Sequence, residues 1–136
     1  LIPFLITFAS PLAWHAIIHL AAVIALHFFF ILGLSLLLSS AHVFYKDIGH
    51  LLSIVLMFWF YLTPIFYSLD GLPASIIALY HINPMLHFIS GYRAVLFLSS
   101  APSAALYGIM LGISTVTFLL GWLVFIGTEK QLVKEL

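Results

Sequence analysis

Polar residues fall in short clusters along this chain, separated by apolar runs longer than a water-soluble core uses. Three of the runs, residues 16–38, 51–67 and 104–126, are long enough to be read as membrane-spanning helices. Crossing about 30 Å of hydrocarbon takes roughly 20 helical residues. Residues 1–10 are equally apolar but too short to cross, and read as the tail of an earlier span broken by Ser10-Pro11. Trp14, His15 and His19 follow, with the mixed apolar and polar character of a membrane-interface turn.

Between the second and third spans the pattern changes. Asp70-Gly71-Leu72-Pro73 is a turn, and Pro73 suits the first position of a new helix. Asn83-Pro84 repeats the signal, a side-chain cap followed by proline, and divides residues 73–98 into two helices too short to span. A broken pair of this kind is expected to form a re-entrant hairpin entering from the outer face. It is tolerated at membrane depth only where protein or a water-lined cavity satisfies its backbone. Pro64, near the far end of the second span, lacks an N–H and is expected to kink that helix, as a gate or as a packing feature. In the third span, Gly108 and Gly112 have the small-xxx-small spacing of a helix contact.

Composition fixes the solvent. Of 136 residues 65% are apolar and 6% charged, a balance that places the chain in a bilayer. With no basic run to meet a phosphate backbone, nucleic acid is excluded as a partner. The absence of cysteine removes disulfides and thiolate metal sites. The sparse charges still orient the chain. If residues 73–98 do not cross, Lys46 lies on the same side as Lys130 and Lys134 in the polar tail 127–136. The positive-inside tendency makes that side the cytoplasm. The expected fold is all-α, a polytopic transmembrane bundle with an outer-face re-entrant hairpin between its last two spans.

An ordered set of residues carries a family resemblance. Phe44-Tyr45-Lys46-Asp47, the span ending Leu62-Thr63-Pro64-Ile65-Phe66-Tyr67, then Asn83-Pro84 and Tyr92-Arg93, resembles the C-terminal half of type-2 ABC exporter permeases. The nearest subgroup moves lipid-linked O-antigen, capsular polysaccharide or teichoic acid across the bacterial inner membrane. The resemblance implies a permease without catalytic chemistry or bound cofactor of its own. It pairs with a second copy and with separate nucleotide-binding subunits that hold ATP and magnesium. The family usually has arginine before the aspartate; Lys46 here keeps the charge and loses the planar fork.

Candidate residues follow from these readings. Arg93 is the only arginine, and burying it at the bilayer centre costs about 2.5 to 3.5 kcal/mol, so it must reach an interface, an acidic partner such as Asp70, or a ligand. It either snorkels to lipid phosphates or borders the substrate path. Trp59, Tyr61, Tyr67, Tyr80 and Tyr92 either anchor the membrane interface or offer flat faces to sugar rings. Lys46 and Asp47, with His50 nearby, close a cytoplasmic loop that the resemblance places beside the ATPase. His15, His19 and His27 share a helical face, which leaves open an enzymatic alternative in lipid or glycan modification. The span holds no carboxylate to complete a metal site. A structural subunit that carries nothing is the third reading.

Overall fold

The computed structural model describes residues 11–44, 47–65, 73–98 and 100–135. The expected tail of a span over residues 1–10, and the candidates Lys46, Tyr67 and Asp70, lie outside the described residues. Among the described residues five helices follow one another: α1 (Pro11–Phe44), α2 (Ile48–Leu62), α3 (Ala74–Ile82), α4 (Pro84–Leu96) and α5 (Ala104–Glu135). No strand occurs among the described residues, and the fold is all-α.

Among the described residues two helices, over Trp14–His42 and Ala104–Thr128, are long and apolar enough to cross a membrane. Both continue past the runs read from the sequence. The interface turn expected around Trp14 is helical, with the indole 72% exposed, and the polar tail after Ile126 continues α5. At 1.5 Å per residue α1 is about 51 Å long and α5 about 48 Å. Their ends therefore project beyond a 30 Å hydrocarbon slab or are accommodated by tilt. α2 has 15 residues, roughly 22 Å. It starts just after Asp47 and stops before Thr63-Pro64, because the residue before a proline is pushed out of the helical region. Thr63 is accordingly extended, at φ −94° and ψ 121°.

α1 and α5 are the backbone of the fold, and they run parallel with a constant register. His19 Nδ1 and the Tyr107 hydroxyl are hydrogen-bonded at 2.9 Å, Ser114 Oγ donates to the Leu26 carbonyl at 2.7 Å, and Thr128 Oγ1 donates to Ser40 Oγ at 3.2 Å. Each pair is separated by 88 residues. Gly33 and Gly121 complete the series at the same offset. A methyl added at Gly121 would collide with the Gly33 backbone, and one at Gly33 would collide with the Thr117 backbone. Positions 19, 26, 33 and 40 thus face 107, 114, 121 and 128 at heptad spacing, the repeat of a left-handed helix pair. Lipid tails are as apolar as leucine, so close backbone approach and interhelical hydrogen bonds hold such a seam together.

The glycines at the contact are not the pair singled out by spacing. Nothing lies within 4 Å of a methyl built at Gly108 or Gly112. The working small-xxx-small pair on α5 is Thr117 with Gly121.

α4 leans into the groove between α1 and α5. Phe88 is fully buried with Val23, Phe30 and Met110, and its ring stacks on His27 at a centroid distance of 4.7 Å. Gly91 makes room for the Met110 side chain and Val23. Tyr92 adds a hydrogen bond to His27 Nδ1 at 3.1 Å. α2, by contrast, contains no buried residue.

Candidate functional site

The most organised polar structure among the described residues is where the end of α2 meets the α3–α4 break. Asn83 is its hub. Its extended backbone, at φ −72° and ψ 113°, ends α3, and its Oδ1 accepts the Met85 N–H at 3.0 Å to cap α4, with Pro84 at the first helical position. The same oxygen accepts Trp59 Nε1–H at 2.9 Å, and Nδ2 donates to Thr63 Oγ1 at 3.1 Å. Thr63 Oγ1 in turn donates to the Trp59 carbonyl at 2.7 Å. One amide therefore caps a helix and ties the last turn of α2 to it.

Arg93 serves the other side of the same break. Its Nη2 donates to the Pro64 and Ile65 carbonyls, each at 2.8 Å. These carbonyls lie beyond the end of α2 at Leu62. Charge-assisted bonds of this kind are stronger than neutral ones, more so away from water. The guanidinium is thus engaged by backbone, a partner that neither sequence reading of Arg93 included. Pro64 is buried, and α2 ends two residues before it, at Leu62.

Beside this knot, α2 and α3 enclose a cleft of about 720 Å³ lined by Val55, Phe58, Trp59, Leu62, Ile76, Leu79, Tyr80, Ile82, Asn83 and Pro84. A smaller space of about 230 Å³ lies behind it among α1, α2 and α4, bounded by Phe30, Leu34, Thr63 and Met85. Trp59 lines both and forms the partition between them. Of the aromatics singled out in the sequence, Trp59 and Tyr80 meet at the cleft, while Tyr92 turns away to His27. Tyr61 is 68% exposed and packs edge-on against Phe60.

The remaining candidates lie elsewhere. Asp47 is exposed at the start of α2, where its carbonyl accepts the N–H groups of His50 and Leu51 at 3.2 and 3.3 Å. His50 is also exposed, at the opposite end of α2 from Asn83. His15, His19 and His27 do not converge: His19 and His27 are each held by a different tyrosine. Among the described residues no three His, Cys, Asp or Glu side chains come together to hold a metal.

The arrangement that sequence reasoning missed is the knot itself. Trp59 and Asn83 are 24 residues apart, and Pro64 and Arg93 are 29. The proline after Thr63 is a local signal for a helix end, and nothing local says which distant side chain meets the chain there.

Comparison with known proteins places this architecture. A family profile described as ABC-2 type transporter matches residues 1–97. The chain is 27% identical over 93 residues to the O-antigen export system permease protein RfbA of Myxococcus xanthus, covering 67% of this chain and 35% of that protein. It is 31% identical over 64 residues to a Klebsiella pneumoniae protein of the same name, covering 47% of this chain and 25% of that one. The chain thus spans about a third of the length of the first relative and a quarter of the second. No solved structure matches. A profile matching well over half the residues, on a chain whose longest helices are apolar enough to cross a bilayer, leads to one assignment: the chain belongs to the ABC-2 type transporter family of membrane proteins.

Proposed function

We propose that this chain forms part of the membrane-spanning permease of an ATP-driven exporter, carrying lipid-linked polysaccharide of O-antigen, capsule or teichoic acid type across the bacterial inner membrane. The observation that carries the reading is the family match, joined to relatives named as O-antigen export permeases. The chemistry of the cleft agrees with it. Trp59 and Tyr80 present aromatic faces in otherwise apolar surroundings, which suits an amphipathic substrate with a lipid tail and sugar rings. In this reading the permease supplies no catalytic group and binds no cofactor. ATP and magnesium belong to nucleotide-binding subunits, and the functional unit contains a second permease copy.

The parallel α1 and α5 support an arrangement for these parts. Two parallel spans require the chain between them to return across the membrane once in net. α2 makes that return, and α3 with α4 forms a re-entrant hairpin at the outer face, leaving Asp47 and the end of α5 in the cytoplasm. The full-length protein, purified in mild detergent, should bring a nucleotide-binding subunit with it. The same complex, in sealed vesicles of one orientation, should label single cysteines at Asp47 and Thr128 from one side and at Ser100 from the other. Purification without any ATPase speaks against the exporter reading, and Thr128 siding with Ser100 speaks against the hairpin.

A further inference from the structure

The break between α3 and α4 brings two histidines together. In an uninterrupted helix the His81 carbonyl would accept the N–H of Met85, the residue one helical bond ahead. Here that N–H is given to Asn83 Oδ1, and Pro84 opens the new helix with no N–H of its own. The His81 carbonyl instead accepts Nε2–H of His87 at 3.0 Å. A carbonyl can only accept, so a neutral His87 carries its proton on Nε2 and its lone pair on Nδ1. The His81 ring lies beside that of His87, with ring centres 5.8 Å apart and planes tilted by 37°. His87 is buried near the start of α4, whereas His81 is exposed on the last turn of α3.

We propose that His81 and His87 form a two-histidine site for a divalent transition-metal ion of the zinc, nickel or copper class, bridging the end of α3 and the start of α4. Metal-binding histidines characteristically donate their other ring N–H to a carboxylate or a backbone carbonyl, which fixes the tautomer and leaves the second nitrogen to the metal. The bond from His87 to the His81 carbonyl is of this kind. With metal–nitrogen bonds of about 2.0–2.1 Å, two imidazoles on one ion set their ring centres about 4.5–6.5 Å apart. The observed 5.8 Å falls in that range. A tetrahedral ion asks for about 5 Å, a shift open to the exposed His81 ring by rotation about its side-chain bonds. Imidazole nitrogen suits zinc, nickel and copper, while magnesium and calcium take oxygen ligands. The pair supplies two ligands, and water or another donor fills the remaining positions. A hydrogen bond that only finishes α3 uses the His81 backbone and has no need of its ring. An ion held by both rings cross-links the two helices and favours the folded break by mass action. The proposal rests on the break alone and does not depend on the exporter reading.

The test uses tag-free full-length protein in nanodiscs, stripped of metal with a chelator. Cu²⁺ is the probe, because it binds nitrogen sites most tightly among the divalent first-row ions. Bound copper is counted by titration, and its imidazole ligands by pulsed electron paramagnetic resonance. Removing one of two chelating ligands should weaken the site about a hundredfold. The native protein should therefore bind one more equivalent of copper per chain than His81→Ala, and the difference signal should carry two imidazoles. His81→Ala keeps the carbonyl that holds His87, so without metal it should unfold at the native temperature. His15→Ala, altered at an exposed position on α1, should keep the equivalent. Zn²⁺ should compete for the site and millimolar Mg²⁺ should not. His87→Ala should lose the same equivalent, and if it does not fold, His81→Ala alone decides. Equal copper uptake by the native protein and His81→Ala, or a difference signal with a single imidazole, would overturn the metal site and leave His87 as a donor to the end of α3 only.

Discussion

Gly121→Leu should separate α1 from α5 and abolish a stable protein. Even a methyl at this position meets the Gly33 backbone at a distance that real side chains do not show, and backbone cannot rotate away as a side chain can. Inserting methylenes into a packed core costs about 1–3 kcal/mol where side chains yield, and more where they do not. The hydrogen bonds of Ser114 and Thr128 lie one heptad to either side of Gly121 and depend on the same approach of the helices. Displacing the contact therefore weakens the seam over several turns. Gly108→Leu and Gly112→Leu provide the control, since a methyl there meets open space. In detergent, Gly121→Leu should run as aggregated material, while Gly108→Leu and Gly112→Leu should each elute like the native protein. Equal behaviour of Gly108→Leu and Gly121→Leu would contradict the register of 88.

Asn83→Ala should cost nearly as much stability, by a different route. It removes the α4 cap, leaves the Trp59 indole N–H without its acceptor and takes the Nδ2 donor from Thr63. A lost cap is worth about 0.5–2 kcal/mol. An orphaned donor adds up to about 1–3 kcal/mol where it is fully buried in a soluble protein, and the Trp59 indole is partly buried. Interhelical bonds in membranes average nearer 0.6 kcal/mol, so a total of about 2–4 kcal/mol is expected. Asn83→Asp keeps the capping oxygen and the Trp59 acceptor and should recover much of the loss. Steric-trap or chemical unfolding in micelles would rank native, Asn83→Asp and Asn83→Ala in that order. If Asn83→Ala matched the native protein, the knot would not hold α2.

Much of this arrangement is readable from local chemistry. Asn83-Pro84 announces an end and a beginning because the cap and the fixed φ of proline act within a few residues, and both occur as expected. The apolar runs predict helices, and α1 and α5 follow them. Their ends are less legible, because a helix already formed continues into flanking polar residues with no opposing signal, as α5 does from Gly127 to Glu135.

What escapes the sequence is pairing between distant elements. Gly108 and Gly112 have the spacing of a contact, yet Gly121 makes it, since spacing along one helix does not say which face meets the neighbour. The recurrence of Tyr107, Ser114, Gly121 and Thr128 every seven residues was the stronger clue, and it becomes meaningful only beside His19, Leu26, Gly33 and Ser40 on α1. Arg93 illustrates the same limit. Its cost in a bilayer can be stated from its charge, and that it needs a partner follows. That the partner is a pair of backbone carbonyls, those of Pro64 and Ile65, depends on where α4 docks.

Transport itself gives the most direct test. The full-length protein and the proposed nucleotide-binding subunit would be reconstituted into inverted vesicles with lipid-linked O-antigen on the outer, cytoplasm-equivalent leaflet. Appearance of the glycan in the lumen would be followed by protection from an added glycosidase. Protection that accumulates with ATP, and not without it or with a hydrolysis-deficient ATPase, is the predicted result. Glycan that stays fully accessible in the presence of an ATPase-active, correctly oriented complex would contradict the proposed function of polysaccharide export.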